Sequence, residues 1–263
     1  MKNQKKTVYY SDELNDEFAG DSIKARHIDE TYFYGDKSPW WMFKSWFWYR
    51  LIAHPIAIAY LKISHHWKIV NKKVIKQGRR SSFFIYGNHT NNGADALIPT
   101  FTSFPKKTYV IVHPNNVSMP VLGKVTPYLG ALPLPDNMAA TKNFMNVIKM
   151  RVEQNASIMI YPEAHIWPYY TKIRPFTDLS FRYPVQYDKP VFCLTNTYQK
   201  RKCSSKPKMV TYVDGPFYAD KSLSSKEQRK DLRDRVYNTM VERAKNSNVE
   251  LINYVKKEKE EEK

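Results

Sequence analysis

In FFIYGNHTNNGADAL, Phe83 to Leu97, a histidine and an aspartate stand six residues apart just past an apolar run. Histidine titrates near neutrality, which suits it to take a proton from a hydroxyl. A nearby carboxylate fixes the ring tautomer and steadies the cation that forms. Two readings of the stretch are open: a turn that holds a His and an Asp, or a base, His89, with its orienting carboxylate, Asp95. A strand-end position suits a base, because the strand holds it rigidly and leaves the ring in a cleft. Residues six apart on a regular helix point about 240° away from each other. If the two side chains meet, the segment between them is therefore not plain helix. Gly93 is expected to supply the relaxed backbone of a one-residue bulge.

The elements that must position this pair follow from the apolar pattern. Strand-like runs cover Trp67–Val70, Phe83–Tyr86, Tyr109–His113, Ser157–Tyr161, Pro190–Thr197 and Met209–Val213, with a short one at Ala131–Leu134. Asn137–Gln154 has Phe144, Val147, Ile148 and Val152 on one stripe, predicting an amphipathic helix capped by Asn137. Ser224–Val255 predicts a long charged helix with Leu232, Val236, Met240 and Val241 inward. Strands alternating with helices imply an α/β fold with a mostly parallel sheet flanked by helices. In such a sheet, sites form on loops leaving the carboxyl ends of strands, and residues 87–95 form one such loop. The chain divides into a polar N-terminal extension (1–38), an aromatic helical segment (39–66), the α/β domain (67–255) and a charged tail (256–263).

The aromatic segment PWWMFKSWFWYRLIAHPIAIAYLKI carries Trp40, Trp41, Trp46 and Trp48. Its longest uncharged run, Leu51 to Leu61, is 11 residues and contains Pro55, whereas a spanning helix needs roughly 20. The segment is expected to lie in a membrane interface, where Trp settles and Lys and Arg snorkel; the other reading is a buried helix of the domain. Lys and Arg outnumber Asp and Glu 42 to 25, a net charge of +17, which implies an anionic partner: nucleic acid, a membrane surface or an acidic carrier protein. The aromatics concentrate at 40–49 and do not interleave with lysine, and no nucleic-acid motif is present, so nucleic acid is not the expected partner. Cys193 and Cys203 suit a reduced cytosolic chain, with Cys193 a small core residue. His65–His66 has no third ligand, so no metal is assigned. The N-terminus MKNQKKTVYYSDELNDEF has no apolar leader.

Read together, four segments carry a resemblance: GNHTNNGAD at 87–95, GALPLPD at 130–136, YPEAHIW at 161–167 and DKPVFCLT at 188–195. In order and separation they resemble the blocks of the glycerophospholipid acyltransferases, a group that includes the bacterial lysophosphatidate acyltransferases. Those blocks are N-H-x-x-x-x-D, G-x-x-[FP]-[IL]-x-R, F-P-E-G-T-R and a V-P-[IV]-[VI]-P strand. The likeness covers about residues 85–195. It implies an O-acyltransferase on the cytoplasmic face of a membrane. The donor would be acyl-carrier-protein or coenzyme A thioester, the acceptor a lysophospholipid such as lysophosphatidate, with no further cofactor. It also implies His89 as base, Asp95 as its orienter, and acceptor binding by Asn88, Gly130, Glu163 and His165. No G-x-S-x-G elbow is present, consistent with direct transfer.

The pattern departs in three places. Five residues, not four, separate His89 from Asp95; Asp136 replaces an arginine; and Ala164-His165-Ile166 replaces Gly-Thr-Arg. In the family those arginines hold the acceptor phosphate, a job suited to the guanidinium fork. Arg174 is expected to supply a cation from a shifted position, with Lys124 and Lys172 as lesser candidates; otherwise the acceptor is a glycolipid or another hydroxyl-bearing lipid. The alternative class is a non-catalytic basic protein that binds membrane or nucleic acid.

Overall fold

The computed structural model describes residues 6–20, 23–202 and 204–257. Cys203 and positions 258–263 of the expected tail lie outside the described residues.

The chain begins with β1 (Lys6–Tyr10) and an irregular segment, then enters α1 (Pro39–Trp46). Pro39 suits the first helical turn, and Ser38 caps it by accepting from Trp41 N. A π-helical stretch, Phe47–Ala53, runs on into α2 (His54–Ser64), so the aromatic segment is one continuous helical body. There follow β2 (Lys68–Val70), a 3₁₀ stretch at Lys72–Gly78, β3 (Phe83–Gly87), α3 (Ala94–Thr102), β4 (Thr108–Val112), α4 (Asn115–Ser118), α5 (Leu122–Leu129) and β5 (Ala131–Pro133). Next come α6 (Met138–Glu153), β6 (Ser157–Ile160), α7 (Arg182–Tyr187), β7 (Val191–Arg201), β8 (Ser204–Phe217), α8 (Ser225–Ala244) and β9 (Ile252–Lys256).

Seven strands form one sheet in the order β2-β8-β7-β3-β6-β4-β5. From β7 to β5 all neighbours are parallel, while β8 runs antiparallel to β7 and carries β2 beside it. The sheet is buried on both faces, which explains why β3 reads as an unbroken apolar run. Phe84 and Tyr86 pack toward Phe144, Val147 and Ile148 of α6 and Leu232, Val236 and Met240 of α8. Phe83 and Ile85 pack on the other face toward Ala57 and Leu61 of α2 and Ala94 and Ile98 of α3. Each such side chain contributes about 1.5–3 kcal/mol on full burial, which pins the register of β3. The predicted cap of α6 is present: Asn137 Oδ1 accepts from Ala140 N at 2.8 Å.

The expected helix over Ser224–Val255 ends at Ala244. Ile252–Lys256 instead forms β9, parallel to β1, with Lys6 opposite Ile252 and Tyr10 opposite Lys256. A pairing between the two ends of the chain leaves no local signal in either. The β7–β8 hairpin also extends past the expected Thr197 and Met209 limits, its polar tip held by backbone pairing such as Gln199 with Lys208.

Candidate active site

Strand register places the site. Tyr86 pairs with Ile160 of β6, and Gly87 with Leu194 of β7. Continued past the end of β3, these registers put His89 level with Glu163 on one side and Asn196 on the other. Asn88 continues the ladder with its side chain: Nδ2 donates to Asn196 O at 3.0 Å, and Oδ1 accepts from Asn196 N at 2.8 Å.

His89 and Asp95 meet. Nδ1 of His89 lies 2.9 Å from Asp95 Oδ2. An ionised carboxylate only accepts, so Nδ1 carries the proton and Nε2 presents its lone pair. Asp95 is fully buried in the first turn of α3, and the same Oδ2 accepts from Thr90 N and Asn91 N, each at 2.8 Å. Its Oδ1 accepts from Asn196 Nδ2 at 3.0 Å. The His89 ring stacks on Tyr161, centroids 4.4 Å apart, and the Tyr161 hydroxyl donates to Asp95 O.

Asn91, not Gly93, absorbs the extra residue, and the bulge expected at Gly93 is not formed. Gly93 has φ −90° and ψ −48°, ordinary right-handed values. Residues 88–91 are non-helical, and Asn91 Oδ1 caps the turn by accepting from Gly93 N at 3.2 Å and Ala94 N at 2.9 Å. Glycine is needed at 93 for space, since a Cβ there would lie 2.7 Å from the Tyr60 hydroxyl.

The residues expected to bind acceptor divide. Glu163 is buried and faces the protein: Oε2 accepts from His89 N and Oε1 from Arg174 N, each at 3.0 Å. Burial pushes its carboxyl up, against the opposing pull of the Arg174 guanidinium. Arg174 is also buried, so it is not an open phosphate ligand. Its Nη1 donates to Glu13 O at 3.2 Å, and its Nη2 donates to Glu163 O at 3.2 Å and to His165 O. Gly130 sits elsewhere. Ala131 is level with Val110, Met159 and Ile85 across the sheet, so Gly130 falls about 16 Å short of His89 along the strand direction. Gly130 closes α5 at φ +101°, with Thr108 O where a Cβ would press. His165 is half-exposed, its Nδ1 3.2 Å from Glu17 Oε2. Lys124 and Lys172 are exposed on α5 and on the loop before Arg174.

Sequence reasoning missed Asn196, Tyr161, Asn91 and Glu17. A polar residue inside an apolar strand is the one signal that marked Asn196; Glu17 lies 148 residues from His165 and had none. His65, at the end of α2, feels the charge of Asp95, while burial pushes its imidazole pKa down.

An apolar cavity of about 120 Å³ lies against α3, lined by Ala96 and Leu97, which directly follow Asp95, and by Tyr49, Ala57, Val110 and Leu129. A mostly apolar cavity whose wall includes the two residues after Asp95 can take a hydrocarbon segment while the imidazole draws a proton from a hydroxyl.

Among solved structures, the chain is similar to the 1-acyl-sn-glycerophosphate (LPA) acyltransferase PlsC from Thermotoga maritima. The match covers 78% of this chain and 87% of that one at 18% identity, with a TM-score of 0.54. The chain has an acyltransferase-like fold. No protein-family model matches it, and no curated protein does.

Proposed function

We propose that this chain is an O-acyltransferase working at a membrane surface, which moves a fatty acyl group from a thioester to a hydroxyl of a lipid acceptor. The observation that carries this reading is the His89–Asp95 pair at 2.9 Å, with Nε2 turned away from the carboxylate at the carboxyl end of the sheet. His89 takes the proton of the acceptor hydroxyl, and the oxygen attacks the thioester carbonyl. The tetrahedral intermediate then expels the thiolate, which leaves with the proton from the imidazolium. Asp95 holds the tautomer and the positive charge. Tyr161 buttresses the ring, while Glu163 and Asn88 hold the loop that carries it.

Cys193 is fully buried and burial pushes its thiol up, so it is unsuited to act as a covalent nucleophile. The +17 charge supports an acidic acyl-carrier protein or coenzyme A as the thioester carrier and an anionic lipid surface. Lysophosphatidate, for which the Thermotoga maritima acyltransferase is named, is one candidate acceptor among hydroxyl-bearing lipids.

His89→Ala should abolish transfer of a labelled acyl chain to lipid acceptors in a mass-spectrometric screen, while vesicle binding persists. Transfer at the wild-type rate would remove His89 from the chemistry.

A further inference from the structure

The N-terminal segment before α1 does more than pair its strand. Residues 11–18, SDELNDEF, contain four carboxylates in a chain of net charge +17. This strap lies on the loop that follows Glu163. Trp167 Nε1 donates to Asp16 O at 2.7 Å, and Phe18 N to Ile166 O at 3.4 Å. Three of the four acids are occupied within the strap. Asp12 accepts from Leu14 N and Asn15, Asp16 from Ser11 N and Asp12 N, and Glu13 from the Tyr10 hydroxyl. Glu17 also accepts locally, from Ala19 N at 2.8 Å, but it is the one turned onto the loop. Its Oε1 and Oε2 lie 3.3 and 3.2 Å from Ile166 N, and Oε2 lies 3.2 Å from His165 Nδ1.

That loop adjoins the backbone that carries the base. Ile166 is followed by Trp167, whose N donates to His89 O at 3.2 Å. We propose that Glu17 is a specificity-determining residue of the acceptor site, and that the acceptor carries an uncharged polyol head group in place of a phosphomonoester. The proposal rests on the acyltransferase reading above. Glu17 already sets a negative charge against Ile166 N and the His165 ring. Arg174, the nearby guanidinium, is buried, and both of its Nη atoms already donate to carbonyl oxygens. A phosphomonoester carries about −1.5 to −2 charges at neutral pH and would meet Glu17 head-on. A half-exposed carboxylate only accepts, and glycerol or sugar hydroxyls are donors that match it.

Two arms test this with the full chain. In the first, wild type, Glu17→Gln and Glu17→Asp are given a labelled acyl thioester with monoacylglycerol and lysophosphatidate in matched mixed micelles. Wild type and Glu17→Asp should favour monoacylglycerol at least tenfold in kcat/KM, and Glu17→Gln should shift that ratio at least tenfold toward lysophosphatidate. A wild-type preference for lysophosphatidate, or a ratio unmoved by Glu17→Gln, overturns the proposal. In the second arm, equilibrium dialysis measures labelled glycerol 3-phosphate without any turnover. Glu17→Gln should bind it at least tenfold more tightly than wild type; equal binding overturns the proposal. Should no acceptor be acylated by any of the three proteins, the acyltransferase reading fails and the dialysis result alone judges Glu17.

Discussion

At the scale of single residues, the orientation of the His–Asp pair is set by a chain of donors that can run in one direction only. The Trp67 indole can only donate, and it donates to Thr211 Oγ1 at 2.8 Å. The Thr211 hydroxyl therefore turns its own proton to Asn196 Oδ1, at 2.6 Å. With its oxygen so engaged, the Asn196 amide directs its NH₂ at Asp95 Oδ1. Asp95 thus receives donors on both oxygens, and a carboxylate is what that cage is built for. Asp95→Asn puts an NH₂ among these donors and leaves His89 without the acceptor that selects its tautomer. We expect kcat to fall about 10⁴-fold, as tautomer loss does in a comparable dyad, with KM little changed. A rate near wild type would show that His89 works without Asp95. The residue types at 89 and 95 were legible in the sequence because a base and an acid at a strand end state a chemistry. The cage was not legible, because Trp67, Thr211 and Asn196 converge only through the pairing of β2, β7 and β8. The expectation for Gly93 failed for a similar reason: its requirement comes from Tyr60, which a local reading cannot see.

At the scale of elements, the aromatic helical body is tied to the domain by polar anchors on its inner side. Ser45 Oγ donates to Tyr128 O at 2.8 Å, Tyr49 bonds Thr100 and receives Thr108 N, and Arg50 reaches Pro105 O. Lys107 completes the set. Its stem is partly exposed, but its amine turns inward between the Tyr49 and Tyr109 rings and donates to Ser45 and Tyr128 O. Burial first, then the nearby Arg151 and Arg50, push this amine down to about 7. Because the folded value lies below that of the unfolded chain, the unfolded state binds the extra proton between pH 7 and about 10.4. Stability should therefore rise with pH across that window and be flat below it. Lys107→Met should remove the rise, so the wild-type Tm should gain steadily on that of the variant from pH 7 to 9.5 in thermal melts. Parallel curves would mean that the amine stays charged in the fold. The existence of strands and helices was legible from apolar runs and stripes, because burial on two faces leaves a local trace. The β1–β9 pair was not, and the charged stretch beyond Ala244 kept a helical look while its partner lay at the other end of the chain.

At the scale of the whole molecule, the same body shows the solvent a face that the domain does not use. Trp41 is withdrawn onto Tyr128, with centroids 4.4 Å apart, and Trp48 is half-buried. Trp40 and Trp46 are 65% and 51% exposed and form a ladder with Phe43, while Lys44 sits over the Trp40 ring. Further along, Ile56 and Ile63 are exposed, and Lys72, Lys73, Lys76, Arg79 and Arg80 follow as a basic cluster. Among the described residues no helix is long and apolar enough to cross a membrane, so this face suits lying on a membrane surface. The body ends where Tyr60 meets Gly93 and His65 approaches Asp95, so a lipid hydroxyl at that surface would stand close to His89. Inserting about half of each exposed indole, on the order of 100 Å² at ~25 cal/mol per Å², contributes about 2.5 kcal/mol per Trp. Trp40→Ala with Trp46→Ala should then weaken binding to anionic liposomes by at least ~10²-fold in a flotation assay. Trp41→Ala should instead lower Tm, since its ring packs on the domain. The basic cluster should add a part that fades with salt, so the double variant should retain only salt-sensitive binding. Liposome binding unchanged at high salt in the double variant would mean that the aromatic ladder is not the docking face.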